Sequence, residues 1–455
     1  MRDQEPAPVD PGRRLSTKEA AELLGVKPET VYAYVSRGQL SSRRGSGGRG
    51  STFDAREVEA LARRNRREST VTPGAGNELS VRTRLTLIES DRYYFRGVDA
   101  VDLAMRHSYE EVAEWLWTGR LRPGTTFTAP AGSVAVARRA VDALPEHAAP
   151  ADLLRVATIA AATADPLRFD LSEDAVLGTA RTLIPTLVAA LPPAGRDRRD
   201  DRRHDSRHHY SRTDSRTDGR GQDRGEGRGE GRGDRRDQTP LARRLWTRLS
   251  PREADEASLR VLDTALALLV DHDLAASTLA VRVAASARAH AYAAVSAGLG
   301  VIEGPLHGAA SGLAHRMLQD VLDQGDAGPV IADELRAGRR IPGLGHRLYP
   351  GEDPRARALF SLLEGVPRAE PALLAARDIV DTAARHAPLH ANVDLALAVL
   401  TASCGMSASA GETIFAVART AGWIAHALEE YGERPLRMRP SGLYAGPKPP
   451  QPLPE

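Results

Sequence analysis

The chain predicts a mainly α-helical protein: a large helical body behind a small N-terminal winged helix-turn-helix. Three observations carry this. Long Ala/Leu/Val-rich segments without internal proline recur at Asp152–Thr163, Glu256–Asp271, Thr278–Ala297, Ala372–Arg385 and Gly411–Tyr431. Aromatic residues make up only 4% of the chain, and no run of alternating β-branched residues marks a strand. Composition shifts twice, at Ser69–Ser80 and at Gly195–Thr239, and these shifts divide the 455 residues.

The order along the chain follows from those shifts. Residues 1–12 read as a disordered start, 13–68 as the helix-turn-helix unit, 69–80 as a Pro/Gly/Ser/Thr linker, 81–447 as the body and 448–455 as a disordered tail. In the N-terminal unit, Ser16-Thr17-Lys18-Glu19 is a capping box that opens a first helix, with Ala20, Leu23 and Leu24 on one face. Gly25-Val26 turns the chain. Pro28 starts a second helix (Lys27–Ser36) with Val31 and Val35 inward, and a basic Gly-rich loop, Ser41–Thr52, precedes a third helix from Asp54 carrying Val58 and Leu61. The tract 195–239 holds 14 Arg against 11 Asp and Glu, with Tyr210 as its only large apolar group. It has too little apolar surface to offset ordering entropy, so it is expected to be a disordered insertion in the body. Its near-balanced charge favours a tolerated loop over a nucleic-acid tether. His204, His208 and His209 within it read as solvated rather than as a metal site.

Charge and cysteine content exclude several function classes. Lys and Arg number 62 against 60 Asp and Glu, so no global basic field argues for nucleic acid, and such an argument has to be local. The single cysteine, Cys404, excludes an internal disulfide framework and a cysteine-based zinc cage, and no metal site is expected. No apolar run approaches the ~20 residues of a membrane span, and the first ten residues hold no apolar core of a secretory signal. The expectation is a cytoplasmic protein without membrane contact.

Three motifs in the body carry chemistry: Gly304-Pro305-Leu306-His307-Gly308, Pro342-Gly343-Leu344-Gly345-His346-Arg347 and Asn392-Val393-Asp394. A lone histidine is more often structural than catalytic. Two in Gly/Pro loops plus a loop aspartate favour a site equally with the structural reading. Together they suit carbon–carbon bond formation: a carboxylate takes a proton beside a carbonyl, one imidazole donates where enolate charge develops, and the other donates to the carbonyl under attack. Arg347, Arg355, Arg419 and Arg439 suggest an anionic substrate, although each reads equally as a surface or salt-bridged arginine.

Nine ordered blocks, among them GPLHGAA, PGLGHRLYPGEDPRA, NVDLALAVL, FAVARTAGWIAHALEE and RPSGLYAGP, closely resemble the citrate synthase family from Val81 to Pro447, with 195–239 as an insertion. The resemblance implies a citrate-synthase fold with a large domain (about 81–309 and 421–447) and a small domain (about 310–420), closing over a cleft as a homodimer with shared active sites. It implies Asp394 as the base toward acetyl-CoA, His307 as the enolate stabiliser and His346 as the donor to the oxaloacetate carbonyl. His272, Arg355 and Arg419 would hold oxaloacetate carboxylates, Arg439 would arrive from the other subunit, and Ser277 would lie beside His307. No permanently bound cofactor is implied; acetyl-CoA, or propionyl-CoA in a 2-methylcitrate synthase, is the co-substrate, and the tricarboxylic acid cycle is the implied setting. Two positions depart from the family pattern: Ala275 stands where many bacterial members have Asn, and Pro350 where a CoA-binding cation is common.

The N-terminal unit is similar to excisionase and MerR-type regulators in AAELLGV, TVYAYVSRGQL and FDAREVEAL. That likeness implies Tyr32 and Arg37 at a DNA groove, with Arg43, Arg44 and Arg49 on phosphates. A small helical accessory domain that packs on the body of this chain or on another protein is an equal alternative. A third reading is a DNA-binding regulator whose body senses acyl-CoA or oxaloacetate.

Overall fold

The computed structural model describes residues 14–24, 31, 34–35, 40–44, 51–58, 61, 81–195, 239–304, 307–308, 310–438 and 445–446. The chain forms two compact units, Met1–Ser80 and Val81–Glu455. In the first, β1 (Arg14–Ser16) leads directly into α1 (Thr17–Leu24), and β2 (Ser42–Arg44) and β3 (Ser51–Asp54) complete an antiparallel sheet of order β1-β3-β2. The capping box forms as expected: the Ser16 amide donates to Glu19 Oε2 at 2.8 Å and the Glu19 amide to Ser16 Oγ at 3.3 Å. Leu15, Ala20, Val31, Phe53, Val58 and Leu61 close a small core. Most of the second helix expected over Lys27–Ser36 lies outside the described residues.

The second unit opens with a three-stranded antiparallel meander, β4 (Thr86–Ile88), β5 (Tyr93–Phe95) and β6 (Val98–Asp99). Helices follow: α2 (Ala100–Arg106), α3 (Tyr109–Thr118), α4 (Ala131–Asp142), α5 (Pro150–Thr163), α6 (Glu173–Ala190), α7 (Leu241–Leu249) and α8 (Glu256–Leu269). Then come α9 (Ala276–Ser286), α10 (Ala291–Ile302), α11 (Ala310–Gln324), α12 (Ala327–Arg336), α13 (Pro354–Leu363), α14 (Glu370–Ala384), α15 (Val393–Ser403) and α16 (Ala410–Tyr431). Among the described residues no helix is long and apolar enough to cross a membrane.

Two features differ from the sequence reading. Strands exist, in both units, but they are two to four residues long, too short for an alternating pattern to stand out. The helix expected over Thr278–Ala297 is two helices, because Arg288 adopts a left-handed backbone (φ 62°). That break lets Arg288 donate to the carbonyls of Glu430, Tyr431 and Glu433 at 2.7–3.1 Å, tying the turn to the end of α16 and the residues just after it.

Helix α16 is buried along nearly its whole length, which places Arg419, Trp423 and His426 inside the body. At Gly422 it runs so close to Val270 that a Cβ would stand 2.2 Å from the Val270 carbonyl oxygen. Beneath it lies a charge network. Arg282 donates to His426 Nδ1 (2.7 Å) and Glu429 (2.8 Å), His426 Nε2 faces Asp271 at 3.2 Å, and Asp271 also takes the Thr86 hydroxyl. This buried chain fixes the residue immediately before His272.

A second buried carboxyl makes a testable statement about stability. Glu110 accepts the Leu241 amide at 2.7 Å at the start of α7, and burial, with Asp263 nearby, pushes its carboxyl up to about 7. The folded state therefore holds a proton that the unfolded chain releases near pH 4.5, so this group's contribution is fully present below that pH and is lost as pH rises toward 7. At about 1.4 kcal/mol per pKa unit the loss is roughly 3 kcal/mol. Glu110→Gln is expected to hold its melting midpoint between pH 5 and 8 better than the parent. An identical decline in both proteins would show that Glu110 is not the group responsible.

Candidate active site

The site is assembled from six segments whose local structure is set by glycines, caps and one buried ion pair. The loop 342–346 reverses tightly. Gly343 has φ +77°, and a Cβ there would meet Leu395 at 2.9 Å, so glycine alone lets the loop lie against α15. Asn392 locks the two together: its amide donates to the Gly343 carbonyl (2.9 Å), its side chain donates to the Gly345 carbonyl (2.9 Å), and its Oδ1 caps α15 by accepting the Asp394 amide (2.9 Å). His346 and Asp394, 48 positions apart in sequence, are thereby carried on one locked unit.

Arg355 sits on the first turn of α13, buried, with both faces of its fork on Asp353: Nε to Oδ1 at 3.0 Å and NH2 to Oδ2 at 2.8 Å. Asp353 also accepts the Val393 amide at 3.0 Å, tying α13 to the start of α15. That edge of Arg355 is occupied by Asp353, which leaves the NH1/NH2 end of the fork as the part able to meet a substrate carboxylate. Burial alone would raise the Asp353 carboxyl, but the Arg355 charge and hydrogen bonds hold it below the usual range.

His272 follows α8 and is buried, with Nε2 2.8 Å from the Tyr349 hydroxyl and its ring edge-on to His346 at 5.2 Å. Burial first, then the charges of Arg355 and Arg419, keep it neutral. His346 is also neutral at physiological pH, pushed down to about 4 by burial and Arg355. Its Nδ1 accepts the Leu348 amide at 3.2 Å, which assigns the ring proton to Nε2.

Ser277, on the first turn of α9, lies 2.8 Å from His307 Nε2 and accepts a 3.3 Å hydrogen bond from the Trp423 indole. Ser277 Oγ carries two lone pairs and one proton, so with the indole on one lone pair it can give its proton to His307 Nε2 or accept one from it. Burial and the Arg419 charge push His307 down to about 4. Both loop histidines are therefore uncharged, and on His346 the proton sits on Nε2. Ala275, at the N-cap of α9, makes no side-chain cap bond.

Arg419 is buried above Phe415 (4.5 Å), with Nε on the Leu269 carbonyl at 2.9 Å. Among the described residues its terminal nitrogens have no hydrogen-bond partner and no carboxylate pairs with it. Burial lowers it to about 10, so it stays cationic at neutral pH. Asp394 is pushed up to about 6 by burial, with Asp353 adding to the rise and Arg355 opposing it.

The structure thus gathers His272, His346, Arg355 and Asp394 around Tyr349 and Asp353, and Ser277 and His307 around Trp423 and Phe415, with the Arg419 charge acting on His272 and His307. Arg347 is exposed. Arg439, Tyr32, Arg37 and Arg49 lie outside the described residues, and Arg43 and Arg44 are described only as backbone of β2. Sequence reasoning missed Tyr349, Asp353, Phe415 and Trp423. Asp353, two residues before Arg355 and followed by proline, carried a helix N-cap signal. The aromatics carried none. Among the described residues no group of three His, Cys, Asp or Glu side chains is placed to hold a metal ion.

Residues 74–441 match the family model described as Citrate synthase, C-terminal domain, and residues 14–66 match a Helix-turn-helix domain. The citrate synthase of Haloferax volcanii is 36% identical over 208 residues, which cover 44% of this chain and 54% of that protein. The chain spans about half the length of the curated relatives it matches. The solved structure of citrate synthase from Pyrobaculum aerophilum superposes with a TM-score of 0.61 at 21% identity, covering 91% of this chain and 97% of the other. That of Thermoplasma acidophilum, a ternary complex with carboxymethyl coenzyme A and oxaloacetate, gives 0.60 at 22% identity over 84% and 96%.

Proposed function

The chain belongs to the citrate synthase family, and from that premise we propose that it condenses acetyl-CoA with oxaloacetate and water, giving citrate and free CoA. The observation that carries the reading is one site carboxyl pushed up to about 6 together with two neutral histidines, one of them with its proton fixed on Nε2. Asp394 takes a proton from the thioester methyl while His307 Nδ1–H donates to the thioester oxygen, where enolate charge collects. The enolate carbon attacks the oxaloacetate keto carbon. A carbon–carbon bond forms, the carbonyl electron pair moves to oxygen, and His346 Nε2–H passes its proton to that oxygen to make the alcohol, the imidazole being reprotonated through water by the proton that Asp394 took from the methyl group. Water then cleaves the thioester and releases the CoA thiol.

Arg419 supports the anionic half of the reaction, being a buried cation whose open nitrogens suit a carboxylate. Arg439 of a second copy, in a homodimer closing its large and small domains over the cleft, is proposed as the further clamp. Propionyl-CoA, giving 2-methylcitrate, differs by one methylene, a discrimination of only about 1–3 kcal/mol in an apolar pocket.

The assay is release of free thiol from acetyl-, propionyl- and butyryl-CoA in the presence of oxaloacetate. Acetyl-CoA is expected to give the highest kcat/KM, with measurable turnover of propionyl-CoA. No thiol release with any of them would remove the enzyme reading and leave a metabolite-sensing regulator. The Helix-turn-helix match favours a DNA role for residues 14–66 as an addition. Salt-sensitive gel shifts by the full chain, lost on Arg43/Arg44/Arg49→Ala, are the expected result.

A further inference from the structure

We propose that Tyr349 is a positioning residue which donates its phenolic proton to Nε2 of His272 and so fixes that imidazole as an Nδ1–H donor facing the keto diacid. The proposal rests on the function proposed above only in naming the acceptor. Tyr349 and His272 are both buried, and their 2.8 Å contact is the one hydrogen bond that the described residues give either side chain.

One proton lies between Tyr349 Oη and His272 Nε2, and two arrangements satisfy the distance. If the imidazole donated, the phenolic proton would be left without an acceptor among the described residues, and Nδ1 would present a bare lone pair. If the phenol donates, each group uses its proton: the phenol on Nε2 and the imidazole, through Nδ1–H, on whatever enters the site. A phenol is also the better donor and an imidazole nitrogen the better acceptor. Burial pushes the phenol far up, so it does not ionise, and the imidazole is held neutral, so Nε2 is free to accept.

The same phenol ring is wedged in place. It lies against the His346 ring at 4.9 Å, tilted by 31°, and beneath the Arg355 guanidinium at 5.7 Å. Tyr93 closes another side of His272, ring centres 5.9 Å apart, its own hydroxyl spent on the Leu268 carbonyl at 3.1 Å. The Tyr349 hydroxyl is therefore the group that sets the His272 proton, and its ring is held by two other members of the site.

Nitrogen-15 spectra of the full chain with labelled histidine read the tautomer directly, without substrate. The expected result is a protonated Nδ1 at His272, with Tyr349→Phe shifting the ring to a mixture or to Nε2–H. Oxaloacetate binding, measured by calorimetry, should weaken about tenfold in Tyr349→Phe. In a His272→Asn background, where an amide N–H replaces the Nδ1 donor, the same change should alter affinity less than twofold. An Nε2–H tautomer in the parent, an unshifted Nδ1–H in Tyr349→Phe, or an equal loss of affinity in both backgrounds would overturn the proposal. Absence of oxaloacetate binding in the parent would instead overturn the proposed function, and the spectra would still decide the role of Tyr349.

Discussion

Asp394→Asn is expected to lower kcat by a factor of about 10² to 10⁴, the range that positioned proton transfer supplies. The fold should survive, because the backbone cap that holds the residue, its amide on Asn392 Oδ1, is untouched, and an amide side chain is the same size. The parent's acid limb should lie near pH 6, where the raised carboxyl titrates: kcat/KM falls as pH drops through that value because the base must be ionised to accept a proton. Both histidines titrate near 4, too low to set that limb. The residual activity of the variant should show no such limb. A variant within tenfold of the parent, or one keeping the same limb, would place the base elsewhere.

Arg419→Met should separate binding from stability. Removing one member of a desolvated charge pair typically weakens binding by 2–5 kcal/mol, so oxaloacetate affinity should fall roughly 30-fold to several thousand-fold. Without substrate, however, that cation lies buried with no carboxylate in ion-pair contact and only the Asp271 charge acting on it, and its replacement by an apolar side chain of similar length should change the melting midpoint little. The parent should gain thermal stability from oxaloacetate by mass action and the variant should not. Parallel melting curves with and without the diacid test both halves. Unchanged affinity would place Arg419 outside the site, and a large drop in apo stability would make it structural.

The parts of this molecule that were readable in advance share a physical cause. Helices long enough to show a period, and histidines set in Gly/Pro loops, leave a local trace: His307 and His346 stand out because their neighbours are conformationally special. The break at Arg288 left none, since alanine-rich sequence runs through it and the left-handed turn is stabilised by carbonyls more than 140 positions away. The meander at 86–99 was hidden by its shortness. Tyr349 was invisible for a different reason. Its role lies in a contact with a ring 77 positions earlier, and nothing in the local pattern distinguishes it from a core tyrosine. The occupied fork of Arg355 was a question of partner choice, which spacing does not decide.

The near contact of Gly422 with the Val270 carbonyl bears on how this protein tolerates change. A single methyl group there, small by any chemical scale, would have to push α16 away from the strand of chain leading into His272. The displaced helix would take Arg419 and Trp423 with it, one turn or less to the N-terminal side or one residue onward. Mutational tolerance at this position is thus governed by a substrate it never touches. In a saturation screen Gly422 would score with the histidines, and its intolerance would measure the spacing between two walls of the site rather than any chemistry of its own.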